Sequence, residues 1–256
     1  MYLRASSTCS GETYGFLRSA NARADRDCAM IDGMMRKVMF AGAMALTLLG
    51  CAEMFPERYR FELTVEVDTP EELRSGSGVY EVWANNKTSL LPEEAKRDWG
   101  VRGEAVAVDL PNGRTLFALL KTNAIHQDMA GLSMTALDPA FRNDVVESAG
   151  RIASGEGVRQ QAEVAREDYP MLVTFRDLAD PTSVQAANPA DFSSVFGPGY
   201  ALRRVSVQIT DDEVTTGIER RLPWLPSLQG NQFPKKSPAA AGPPLGLQGL
   251  HFSTEL

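Results

Sequence analysis

Apolar and polar residues alternate strictly from residue 59 to residue 67. Charged or hydroxyl side chains take the even positions, and apolar ones take the odd positions: Tyr59, Phe61, Leu63, Val65 and Val67. A period of two predicts a β-strand with one buried face and one solvated face. Residues 68–78, rich in Gly, Ser and acidic side chains, predict a loop, and residues 79–83 predict a second strand. We therefore expect a hairpin with a long loop.

A second hairpin is predicted between residues 104 and 120. Two apolar runs, 104–110 and 114–120, are separated by Pro111-Asn112-Gly113. Proline presets the backbone angle that a turn needs, and glycine supplies a positive φ. Both arms are rich in apolar residues, so this hairpin is expected inside a sheet that is covered on both faces.

The remaining patterns predict short elements. They are an amphipathic helix within 140–152, a buried strand over 171–175, a helix capped by Asn188, a strand over 201–209, and a turn over 215–225 that docks Trp224. Residues 90–100 could hold one or two helical turns. Strands outnumber helices and hairpins join the first four strands. The predicted fold class is therefore α+β, a mainly antiparallel β-sheet with a few short helices.

The ends of the chain differ in composition from its middle. Residues 227–256 are rich in Pro, Gly and Ala, which predicts a disordered tail with too few apolar anchors to fold. Residues 1–33 are polar and show no period. They are interpreted as a disordered leader or as sequence upstream of a true start at Met34 or Met35. A single domain is expected over residues 51–226.

A short apolar run with a basic lead precedes this domain. Arg36 and Lys37 lead into the uncharged residues 38–49, and the run ends in Leu48-Leu49-Gly50-Cys51. A positive start, an apolar stretch of about 7–15 residues and a small residue before the cut are typical of a secretory signal. A membrane-spanning helix needs about 20 apolar residues, so the run is too short to span. An ordinary signal and a buried helix of a soluble protein are the alternatives.

The Leu-Leu-Gly-Cys ending resembles the lipobox of bacterial lipoproteins. This resemblance covers residues 36–51 and implies cleavage after Gly50 and lipidation of Cys51, which would become the mature N-terminus with fatty acyl chains such as palmitate. Several acyl chains hold a protein firmly on a membrane, because each buried CH₂ contributes about 0.8 kcal/mol. In that family an aspartate after the cysteine favours the inner membrane. Ala52 therefore implies the outer membrane, facing the periplasm, with the inner membrane as the alternative.

Charge and residue counts exclude several classes of function. Residues 52–226 carry 18 Lys and Arg against 28 Asp and Glu, a net formal charge of −10. Such a surface repels nucleic acid. All three cysteines, Cys9, Cys28 and Cys51, lie at or before the lipobox. The domain therefore has no disulfide, cysteine nucleophile or thiolate metal site. No cofactor is predicted.

Few side chains are candidates for chemistry. His126 is the only histidine of residues 51–226 and could act as a general base. Asp177 and Asp180 could form an acid–base pair, although aspartate before Pro181 is also ordinary turn chemistry. Asp211-Asp212-Glu213 could bind a hard cation or form a solvated turn. Trp83, Trp99 and Trp224 could line a groove or belong to the core.

These patterns favour a non-enzymatic binding or scaffolding domain, held on the envelope membrane by Cys51 and open to an envelope protein partner. The alternative is a membrane-tethered hydrolase that uses His126 or the Asp177/Asp180 pair. A third interpretation is a cytoplasmic protein whose apolar run belongs to the core. The segment 215–225 resembles parts of uncharacterised bacterial envelope proteins, a likeness that implies no activity and no site residues.

Overall fold

A computed structural model describes residues 56–86, 97–122, 128–228 and 247–255. These residues belong to one unit, Pro56–Leu256. The leader, the signal, Gly50 and Cys51 lie outside the described residues, as do His126 and most of the segment 90–100. Within the described residues, no helix is long and apolar enough to cross a membrane.

The alternating segment forms the centre of a five-stranded antiparallel sheet. Its strands are β1 (Glu57–Asp68), β2 (Leu73–Asn86), β3 (Arg97–Arg102), β6 (Gln161–Glu163) and β9 (Ala201–Ile209), in the order β3-β2-β1-β9-β6. Phe61, Leu63 and Val65 are fully buried on one face of β1. The opposite face carries charged side chains. The alternation therefore predicted this strand correctly.

The second predicted hairpin is confirmed and lies in a second, four-stranded antiparallel sheet. Its strands are β4 (Val106–Asp109), β5 (Thr115–Thr122), β7 (Pro170–Phe175) and β8 (Val184–Ala186), in the order β4-β5-β7-β8. Leu110 N–H donates to the Arg114 carbonyl at 2.9 Å, and Gly113 has a φ of 79°. The turn residues do what their chemistry predicts.

The prediction of a long loop over 68–78 is wrong, because β2 begins at Leu73 and pairs with β1 throughout. Gly76 lies opposite Val65 and touches the second sheet. A Cβ atom placed at Gly76 would be 2.2 Å from the Ala107 carbonyl oxygen of β4. The glycines that suggested a loop instead permit close contact between the two sheets.

Two helices pack against the sheets. The first, α1 (Met129–Leu137), was not predicted, because almost every side chain in it is buried and no amphipathic pattern exists. The second, α2 (Val145–Ser154), is capped by Asp144 and ends before Gly155, whose φ is 73°. The predicted helix within 140–152 is therefore present but starts later. The Tyr59 hydroxyl of β1 and the Ser133 hydroxyl of α1 are 2.8 Å apart and tie α1 to the first sheet.

Two turn regions complete the body. Asn188 accepts a hydrogen bond from Ala190 N–H at 2.9 Å within a turn, and the helix that follows is only α3 (Ser193–Phe196). Trp224 docks as predicted: its indole N–H donates to the Leu178 carbonyl at 2.7 Å. The fold class is α+β with mainly antiparallel sheets, as the sequence predicts.

The C-terminal segment Leu247–Glu255 differs from the expected disorder of residues 227–256. Phe252 is fully buried and packs edge-on against Phe117 and Trp224, with ring centroids 6.3 Å and 6.4 Å apart. The Ala105 N–H donates to the Phe252 carbonyl at 2.8 Å. One aromatic anchor and a few backbone hydrogen bonds thus hold a segment whose composition alone indicates disorder.

Candidate functional site

A cleft of about 400 Å³ lies between the first sheet, the start of α1 and the C-terminal segment. Its walls are mainly apolar and come from four elements: Trp99, Gly100 and Val101 of β3, Leu120 and Lys121 of β5, Asp128 and Met129 at the start of α1, and Leu250, His251 and Thr254 near the C-terminus. Volumes of about 300–1,000 Å³ are typical of small-molecule sites.

Two large apolar side chains are exposed at this cleft. Trp99 is 42% exposed and Leu250 is 51% exposed. Within the described residues, Leu73 is the other large apolar side chain with comparable exposure, and it lies away from the cleft. Apolar side chains that remain in water around a concave surface mark sites of binding.

His251 is held in one tautomer by the backbone. Its Nδ1 accepts a hydrogen bond from Gln248 N–H at 3.1 Å, so the neutral ring carries its proton on Nε2. Burial lowers the pKa of His251 to about 4, and the nearby Lys121 ammonium adds to this effect. At neutral pH the ring is therefore an uncharged hydrogen-bond donor at the cleft wall.

Asp128 is the N-cap of α1 and lies beside Lys121 in an antiparallel bridge. Its carboxylate accepts a hydrogen bond from Gly131 N–H at 3.0 Å. Burial raises the pKa of Asp128 in spite of hydrogen bonds from the backbone. The aspartate therefore serves to start the helix, where the helix dipole favours a negative charge.

A second cavity, of about 350 Å³, surrounds Glu104 and Ser253. Glu104 is 4% exposed and accepts hydrogen bonds from Ile218 N–H at 2.8 Å and from the Ser253 hydroxyl at 3.3 Å. Both carboxylate oxygens have partners on segments that fold onto the sheet. This carboxylate therefore fixes the C-terminal segment in place.

Asp177 and Asp180 lie in the turn that follows β7, and neither lines the two cavities. Asp180 accepts hydrogen bonds from the Thr182 N–H at 2.8 Å and the Thr182 hydroxyl at 2.7 Å. The hydroxyl of Thr182 holds the pKa of Asp180 below its ordinary value. Asp177 accepts from Ala179 N–H at 2.9 Å. The two carboxylates cap a turn, which was the alternative interpretation of this pair.

The other predicted sites are distributed as follows. His126, Gly50 and Cys51 lie outside the described residues. Asp211, Asp212 and Glu213 are exposed, and Asp212 accepts from the Thr210 hydroxyl at 2.9 Å within a turn. Among the described residues, no group of three or more His, Cys, Asp and Glu side chains is placed to hold a metal ion.

Comparison with known proteins adds no relative. No protein family, no curated protein and no solved structure matches the chain.

Sequence reasoning missed most of the cleft. His251 and Leu250 fall in the segment expected to be disordered, and Lys121 carries no motif. One signal was present: Leu247 and Phe252, both buried in the structure, follow a run of Pro, Gly and Ala. Trp99 was named as a candidate for a groove, and it does line the cleft.

Proposed function

We propose that the protein is a lipid-anchored binding protein of the bacterial cell envelope. In this proposal Cys51, freed by cleavage after Gly50, carries the acyl chains and holds the chain on the outer membrane, facing the periplasm. The domain from Pro56 to Glu255 binds a small apolar ligand in the cleft and performs no chemistry on it. Envelope partners, rather than nucleic acid, suit its acidic surface.

The observation that carries the binding function is the exposure of Trp99 and Leu250 on either side of an apolar cleft. Each side chain leaves apolar surface in water at a cost of about 25 cal/mol per Å² relative to burial. A ligand that covers both side chains recovers that free energy. The cleft therefore has a hydrophobic driving force for binding.

The polar groups of the cleft support binding without catalysis. A general base works best when its pKa lies near the operating pH. His251 has a pKa of about 4 and its Nδ1 is already hydrogen-bonded. The Asp128 carboxylate caps α1. His251 is therefore not poised to accept a proton from a substrate at neutral pH, and the Asp128 carboxylate is already hydrogen-bonded to the helix terminus.

Binding at the cleft is tested with an uncharged naphthylamine fluorophore and the full chain carrying Cys51→Ser, which has no acyl chains to compete. Fluorescence should rise with saturation. Leu250→Glu should weaken binding about tenfold or more, because it places a charge in the apolar wall. The matched control is Leu73→Glu, at a side chain that is 47% exposed and distant from the cleft. Equal binding by both variants would overturn the proposed site.

The anchor is tested by fractionating bacteria that express the chain. The original chain and a Cys28→Ser control should pellet with the outer membrane. Cys51→Ser should appear in the soluble or uncleaved fraction, because no thioether can form. If Cys51→Ser still pellets with the outer membrane as a cleaved product, the lipid anchor is wrong.

A further inference from the structure

The cleft also has a polarity that specifies its ligand, an inference that rests on the proposed binding function. We propose that it selects a molecule with an apolar body and a single carboxylate, and that the carboxylate is bound by the Lys121 ammonium and the His251 Nε2–H. Three properties of the described residues lead to this class of ligand.

The first property is a cation without a partner. Lys121 lines the cleft. Among the described residues, the carboxylates of the ion pairs are all bound by arginines, and none contacts Lys121. An ammonium beside apolar walls lacks part of its hydration, so an anion that enters the cleft gains a charge-assisted hydrogen bond.

The second property is an oriented neutral donor. Because Gln248 N–H occupies Nδ1, the proton of His251 resides on Nε2. Within the described residues, the imidazole of His251 forms this one hydrogen bond, and its Nε2 is not among the buried atoms without a partner. The Nε2–H therefore remains accessible at the cleft. An N–H donor can form a hydrogen bond with a carboxylate oxygen of the ligand, but it cannot do so with a cationic ammonium group.

The third property is the shielding of Asp128, the carboxylate of the cleft lining. It accepts a hydrogen bond from Gly131 N–H and caps the positive end of α1. Its negative charge is thus directed into the helix terminus. The Thr254 hydroxyl of the lining is engaged with Gly103, accepting from its N–H at 2.9 Å. Lys121 and His251 remain as the polar side chains of the lining with capacity for a ligand.

The apolar body of the ligand is accommodated by Leu120, Met129, Trp99 and Leu250. Methionine adapts to irregular ligand shapes, and the tryptophan ring offers a flat apolar face. A volume of about 400 Å³ suits a chain of medium length better than a long lipid. We take decanoate as the probe for this class.

The test compares decanoate with decanol and decyltrimethylammonium, each below its micelle concentration, on the full chain carrying Cys51→Ser. Calorimetry should give the tightest binding for decanoate, with decanol about tenfold weaker. Lys121→Met should abolish this preference while decanol still binds. His251→Asn keeps an acceptor for Gln248 N–H, removes Nε2–H, and should weaken decanoate about threefold.

Arg203→Gln is the matched control, because it also removes one positive charge but lies on the exposed Asp68 pair. It should leave the preference unchanged. Equal affinity for decanoate and decanol, or an unaltered preference in Lys121→Met, overturns the anionic ligand. Tighter binding of decyltrimethylammonium overturns it as well. If the uncharged fluorophore still binds in a Leu250-dependent way, the proposed function survives that result. If none of the probes binds, both proposals fail.

Discussion

The outer face of the first sheet and the cleft differ in how charged and apolar side chains are arranged. On the outer face, Arg58 and Arg60 flank Glu81 at 2.9 Å and 3.2 Å, and Arg204 binds Glu66 at 2.7 Å. At the cleft, Lys121 has no ion-pair partner among the described residues and large apolar side chains face water.

On the outer face the charged side chains already have partners, whereas at the cleft, within the described residues, a charged side chain and two apolar side chains do not. Charges that already have partners offer little to a ligand. An unpaired cation among apolar side chains has both electrostatic and hydrophobic free energy to gain. The comparison therefore favours the cleft, rather than the outer face, as the proposed binding surface.

The largest effect is expected from a substitution that detaches the C-terminal segment, one wall of the cleft, from the core. Phe252→Ala removes a fully buried ring that contacts Phe117 and Trp224, and should lower the free energy of unfolding by about 3–5 kcal/mol. Leu250→Ala, two residues away but 51% exposed, should cost about 0.5 kcal/mol. Urea unfolding measures both. Similar losses would mean that the segment is not anchored through its aromatic ring.

A smaller effect is expected when a buried ion pair is broken, and a smaller one still for an exposed pair; both are measured as losses in the free energy of unfolding. The Asp138 side chain is fully buried and accepts hydrogen bonds from Arg151 at 2.7 Å and Ser148 at 2.6 Å. Burial alone would raise the pKa of Asp138, but these donors hold it below its ordinary value. Asp138→Asn should cost about 2–3 kcal/mol.

The control for this pair is Asp68→Asn, which breaks an exposed contact with Arg203 at 3.1 Å. It should change the free energy of unfolding by about 0.5 kcal/mol or less. Thermal unfolding at fixed pH gives both values. A loss at Asp68 that equals the loss at Asp138 would contradict the view of the outer face as a weakly coupled surface.

The smallest effect concerns pH. His251 is neutral in the folded chain down to a pKa of about 4, whereas its ordinary value is 6.5. The unfolded chain therefore takes up a proton first. The stabilisation is complete above pH 6.5 and declines as the pH falls from 6.5 towards 4.

Because His251 is partly exposed to solvent, the decline should amount to about 1 kcal/mol. Urea unfolding between pH 4 and pH 7.5 measures it. His251→Asn should remove this component of the pH dependence, while Asp68→Asn should retain it. An imidazole that titrates near 6.5 by NMR in the folded chain would refute the desolvated environment.

Elements whose patterns report their surroundings were predictable. The period of two over 59–67 reflects a strand with one buried face. The turn at Pro111 to Gly113 follows from the backbone preferences of those residues. The last strand, β9, was predicted with its observed bounds, Ala201–Ile209. In each case the information lies within a few neighbouring residues.

Other elements depend on contacts that no local pattern encodes. The helix α1 is buried almost all round, so it has no polar face to reveal its period. Gly76 belongs to a strand that pairs with β1, and the close approach of the Ala107 carbonyl leaves no room for a side chain there. The Asp177 and Asp180 side chains illustrate the converse: their turn chemistry could be predicted from the local sequence, and neither residue lines the two cavities described above.

The amino-acid sequence by itself determined the fold class, the two hairpins, and the expectation of an envelope anchor at Cys51. Only the tertiary structure decided that the C-terminal segment joins the core and that Lys121 and His251 line one cleft. Local periodicity and turn preferences act over a few residues, whereas the cleft joins positions that are distant along the chain. Its geometry follows from the burial of Phe252 and from the pairing of Ala105 with that residue.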